Sequence, residues 1–194
     1  MENRENMNRK PAQTLILKDI HIPYNTEKWQ PRNFRGLERV ANGRIVNAEG
    51  KKNFCLFLPQ SVNRIVNGVD DWVDCEQLIE EGWNIGKNTN PTDPQAEPSY
   101  MLRVKVKYHP EGSDLVRLNP QVRAVTASGS MMDYDEGNIG DLDNVQILKA
   151  NANIRATWQV TPSYTGYVAY LSKLVLRVYE ETGGMDDLME GILD

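Results

Sequence analysis

Tyr100-Met101-Leu102-Arg103-Val104-Lys105-Val106-Lys107-Tyr108 alternates without a break. Tyr100, Leu102, Val104, Val106 and Tyr108 fall on one side, and Met101, Arg103, Lys105 and Lys107 on the other. Successive side chains of a strand point to opposite faces, so the stretch reads as a half-buried strand with a core face and a cationic face. The period recurs at Asn151–Val160, where Ala152, Ile154, Ala156, Trp158 and Val160 oppose Asn151, Asn153, Arg155, Thr157 and Gln159. In Tyr167–Tyr179 it sets Val168, Tyr170, Leu174, Leu176 and Val178 against Tyr167, Lys173 and Arg177. These patterns predict an all-β domain.

Gln13–Ile22 is a branched run that reads as a first strand, stopped by Pro23. Phe54–Leu58 is almost wholly apolar, as a central strand is, and ends at Pro59. Asn119–Thr126 adds another strand. Short helical patterns lie at Ser61–Val66 and at Asp74–Glu81, the second with an acidic start and Gly82 as its stop. Lys87–Pro98 and Ser128–Gly140 read as loops. Several antiparallel strands with one or two short helices predict a closed or partly closed barrel, because closure removes free edges. An oligonucleotide/oligosaccharide-binding (OB) barrel fits best, with a β-sandwich as the alternative. The expected organisation is a disordered segment at 1–12, a domain at 13–180 and an acidic tail at 181–194.

Composition excludes several classes. With 40% apolar and 25% charged residues, the 194-residue chain can bury a core. No run approaches the roughly 18 apolar residues of a membrane helix, and the polar start at Met1-Glu2-Asn3-Arg4 does not resemble a signal peptide, so a cytoplasmic protein without membrane contact is expected. Cys55 and Cys75 make no disulfide framework and no zinc site, and Cys55 reads as a small buried hydrophobe. The two histidines, His21 and His109, have no catalytic neighbours in sequence, and no phosphate loop or nucleophile elbow is present. No enzyme, cofactor or metal is expected. The carboxylates from Asp133 to Asp143 lack the order of a calcium loop and read as a solvated acidic loop.

The chemistry lies elsewhere. Residues 1–58 hold eleven basic against six acidic side chains. Trp29, Arg32, Phe34, Arg35, Arg39, Arg44, Lys51 and Lys52 mix aromatic faces with cations, as single-stranded nucleic acid requires: cations follow phosphates and rings stack on unpaired bases. Arg103, Lys105, Lys107, Arg155, Tyr167 and Lys173, on the outer sides of the later strands, extend this candidate DNA-binding set. The competing reading makes Trp29 and Phe34 core residues and the arginines ordinary surface pairs.

Asn33-Phe34-Arg35-Gly36-Leu37-Glu38, Lys52-Asn53-Phe54-Cys55-Leu56-Phe57-Leu58 and Glu81-Gly82-Trp83-Asn84-Ile85 resemble the single-stranded DNA-binding proteins of tailed bacteriophages and their prophages. Ala156-Thr157-Trp158 and Gly166-Tyr167-Val168-Ala169-Tyr170-Leu171 add to the likeness, which runs over roughly residues 13–180. The resemblance implies an OB barrel that coats single strands during phage replication or recombination in the host cytoplasm.

Glu181–Asp194 holds five carboxylates and no Lys or Arg, and so carries the whole formal charge of −5. Such an arm can occupy a basic groove when DNA is absent and dock on partner proteins when DNA fills it. Asp186, Asp187, Leu188, Ile192, Leu193 and Asp194 are the candidate docking residues, toward a replication or recombination protein or a second subunit. The alternative function is a non-enzymatic phage structural or interaction protein, such as a DNA mimic or an inhibitor of host defence.

Overall fold

A computed structural model describes residues 9–23 and 32–179. Within these, the strands are β1 (Gln13–Ile20), β2 (Arg32–Asn33), β3 (Arg39–Ala41), β4 (Arg44–Asn47), β5 (Asn53–Leu58), β6 (Ser61–Val66) and β7 (Val69–Asp74). There follow helix α1 (Cys75–Glu80), β8 (Ile85–Asn88), β9 (Ser99–Lys105), β10 (Gln121–Val125), β11 (Met131–Tyr134), β12 (Ile147–Val160) and β13 (Thr165–Val178). Two 3-10 turns, Asp114–Leu118 and Ile139–Asn144, complete the description. The fold is all-β, as the alternation predicts.

The main sheet runs β2-β5-β9-β13-β12-β1-β6-β7, with β8 joined to β9, and with β10 joined to β13 and carrying β11. It is mixed, because β13 lies parallel to both β9 and β10. The expected antiparallel OB barrel is therefore corrected: the sheet does not close. One backbone bond, from Phe57 N–H to the carbonyl of His21, ties β5 to the chain just past β1, but no ladder joins them. The two-stranded β3–β4 sheet stands apart.

The long hairpin β12–β13 is the spine. Ala152, Ile154 and Ala156 face inward from β12, and Phe54, Leu56, Leu102 and Val104 join them from β5 and β9 in one apolar cluster. Each larger side chain so buried contributes about 1.5–3 kcal/mol. On β13 the inward set changes phase. Tyr167, Ala169 and Leu171 are buried in its first half, and Leu174, Leu176 and Val178 in its second. The cause is a bulge: Asn153 pairs with Lys173 but Ile154 pairs with Leu171, so Ser172 is an extra residue that inverts the alternation. Gly166, near the start of β13, lies where a Cβ would come within 2.6 Å of the Gly82 carbonyl oxygen.

Ser61–Val66 is strand β6 and not the helix its spacing suggests, while the helical pattern at Asp74–Glu81 holds as α1. Asn67-Gly68 turns β6 into β7 with φ of 50° and 75°, the left-handed pair of a tight hairpin turn. Lys10 and Pro11, inside the segment expected to be disordered, pack on the domain: the Lys10 ammonium lies 4.2 Å from the Trp158 ring centre, and Tyr167 Oη donates to the Pro11 carbonyl. Cys55 and Cys75 are buried free thiols. Burial pushes the Cys75 thiol up to about 11, with Asp74 and Glu76 adding to the effect.

Candidate nucleic-acid interface

Strand β9 supplies the base of the site. Its inward residues Leu102 and Val104 fix its orientation, and Arg103 and Lys105 consequently project outward, with Lys107 exposed just past the strand end. The chain between β4 and β5 brings Lys51 and Lys52 to the same place, and β13 contributes Tyr170, paired across the parallel bridge with Lys105. The resulting depression, about 500 Å³, is also lined by Val46, Asn47, Tyr108 and Glu136.

A second depression continues from Lys107 and Tyr170 to His109, Arg155, Thr157 and Gln159. A third continues from Arg103 and Lys105 to Asn84, Tyr164 and Val168. Together they form a trough in which six cations, Lys51, Lys52, Arg103, Lys105, Lys107 and Arg155, meet one carboxylate, Glu136. Tyr170 sits at the junction. The Arg155 guanidinium lies 5.5 Å from its ring centre, and its hydroxyl accepts from Gln159 Nε2 at 2.9 Å. The Tyr108 hydroxyl is buried beside the trough with no hydrogen-bond partner among the described residues. Burial, reinforced by Asp135 and Glu136, pushes its pKa up to about 12, so it remains a neutral donor.

Several residues expected at the interface are elsewhere. Arg32 is wholly buried, and its guanidinium donates to the carbonyls of Val145 and Ile22. Phe34 is wholly buried and stacks on Phe54 at 5.0 Å. Tyr167 is buried against Trp83 and Trp158. Arg32 and Phe34 are enclosed in the core, and the Ser172 bulge turns Tyr167 inward while bringing Tyr170 out, although Tyr167 still lines the third depression beside Tyr164 and Val168. Arg39 is half-buried and donates to the Arg32 carbonyl; burial lowers its pKa. Arg35 and Arg44 are exposed outside the trough, Arg44 on β4. Lys173 lines a different depression with Arg123 and Asp133. Trp29 and the docking residues of the tail lie outside the described residues.

The acidic loop is engaged in local structure. Asp133 pairs with Arg123, Asp135 accepts from the backbone of Gly137 and Asn138, and Asp143 accepts from the N–H groups of Phe34 and Arg35. Among the described residues no three His, Cys, Asp or Glu side chains converge on a metal position. Nor is any described helix long and apolar enough to cross a membrane.

An open cationic trough with an aromatic face is the surface required by a flexible polyanion whose rings can stack. The chain belongs to the family described as "Putative phage ssDNA-binding domain", whose model matches residues 6–182. No curated protein and no solved structure matches it.

Proposed function

We propose that the protein binds single-stranded DNA without sequence preference along this trough, in phage DNA replication or recombination. The observation that carries the reading is the convergence of Arg103, Lys105 and Lys107 with Lys51, Lys52 and Arg155 around Tyr170. Cations set along a groove neutralise successive phosphates, and an aromatic ring in the groove wall, as half-buried Tyr170 is, accepts any base.

The proposed organisation is a binding domain at 13–180 with the acidic segment 181–194 as an arm that competes for the trough and docks on replication or recombination proteins. Four carboxylates after Gly183-Gly184, with apolar Leu188, Ile192 and Leu193, support both roles. The working place of such a protein is the host cytoplasm, and no catalysis is assigned to it.

Fluorescence anisotropy of a labelled oligo-dT tests the reading. Affinity should fall with salt, log K declining by about 0.7 per phosphate neutralised, and duplex of equal length should bind more weakly. Salt-independent affinity, or equal affinity for duplex, would refute it. Removing residues 181–194 should tighten binding at low salt, with the gain fading as salt screens the arm. Unchanged affinity across the salt series would deny the arm this role.

A further inference from the structure

The hairpin β3–β4 is built to project. Val40 pairs with Ile45 and Ala41 with Arg44, and Asn42-Gly43 closes the turn with φ of 51° and 72°. Its root is held tightly. Asn33 and Leu37 exchange hydrogen bonds, Asn47 Nδ2 donates to the Leu37 carbonyl, and Asn53 Nδ2 donates to Asn47 Oδ1 at 2.6 Å. Beyond the root, Val40, Ile45 and Val46 are each more than half exposed. An aliphatic strip on a hairpin outside the main sheet contributes nothing to the core, so its exposure points to a ligand.

Two observations choose the occupant. From Arg39 to Asn47 the hairpin carries no carboxylate, and while Arg39 turns back to the Arg32 carbonyl, Arg44 is exposed near its tip, which suits a polyanion. It is also continuous with the trough, since Val46 and Asn47 form part of the same wall as Lys51 and Lys52. We infer that β3–β4 is an arm that lies along a single strand held in the trough, Val40, Ile45 and Val46 packing on base faces and Arg44 meeting a phosphate. This rests on the proposed DNA-binding function and adds to it a contact that reads the unpaired state, because base faces are hidden in a duplex.

Oligo-dT titrations of Val40→Thr/Ile45→Thr, Arg44→Ala and the trough variant Lys105→Ala test the arm. Threonine keeps the branched shape that the strands favour while removing apolar surface. The double variant should lose roughly tenfold in affinity with the salt slope unchanged, whereas Arg44→Ala should lower that slope by about 0.7. If Lys105→Ala weakens binding and the double variant does not, the arm is refuted and the trough stands; if none changes, the trough reading falls with it. A change in the sedimentation of the DNA-free double variant, with oligonucleotide affinity intact, would make the strip a contact between copies and overturn the proposal. Photocrosslinking of the unaltered protein to bromodeoxyuridine-substituted oligo-dT is independent of any variant's folding. Adducts within residues 39–47 support the arm, and adducts confined to other segments refute it.

Discussion

Tyr167 and Tyr170 are three residues apart and have exchanged the places that simple alternation gives them. Strict period two along Tyr167–Tyr179 puts Tyr170 with the core and Tyr167 outside. The extra residue Ser172 reverses this for the first half of β13, leaving Tyr167 stacked on Trp83 and Tyr170 in the trough. A bulge is set by pairing with another strand and leaves no mark on one strand's own pattern, which is why the aromatic of the site was not legible while the cations of β9 were. Arg32 and Phe34 went astray for a different reason: a basic–aromatic cluster in sequence says nothing of which members turn inward. Variants should separate these roles. Phe34→Ala should cost about 3–5 kcal/mol of stability, and Arg32→Met about 1–3 kcal/mol, because the Val145 and Ile22 carbonyls lose their donor. Tyr170→Ala should instead weaken oligo-dT binding by about 1–3 kcal/mol. Denaturant midpoints and anisotropy on the same preparations provide the comparison, and a Tyr170 variant that loses stability but not affinity would remove that ring from the site.

At the scale of elements, β5, β9, β12 and β13 were legible because each buries one face or both in the apolar cluster. The hairpins β3–β4 and β6–β7 were not, although Asn42-Gly43 and Asn67-Gly68 are the strongest short-range hairpin signals a sequence carries. In Ser61–Val66 the helical spacing of apolar residues masked the turn that followed. Arg64 in that strand is buried and paired with Asp71 and Glu81, which fastens the β6–β7 hairpin to the segment after α1. The junction between α1 and β13 is equally close-fitting. Gly166→Ala would drive a methyl into the Gly82 carbonyl and the Tyr164 hydroxyl, both within 2.6 Å of the added carbon. Backbone must shift to admit it, so the variant should melt several degrees lower. Calorimetry reads this directly, and an unchanged Tm would show that the approach relaxes freely.

For the whole molecule, closure was the expectation that failed. The number and alternation of strands pointed to a barrel, but β2 and β7 end the main path without meeting. Which strands become neighbours depends on parallel pairings between β13, β9 and β10, far apart in the chain, and periodicity carries no record of partners. That arrangement bears on how the protein is made. The last described strand is the one that β9, β10 and β12 all share. A ribosome working at about 5–20 residues per second takes roughly ten to thirty seconds from β1 to β13, and throughout that interval the earlier strands wait with open edges. Nascent chains arrested before Thr165 should be digested readily by added protease, and chains whose β13 has cleared the exit tunnel should resist. Early resistance would mean that a smaller unit folds first. The vulnerable moment would then fall during translation, which makes the yield of folded copies sensitive to the chaperones that meet the nascent chain.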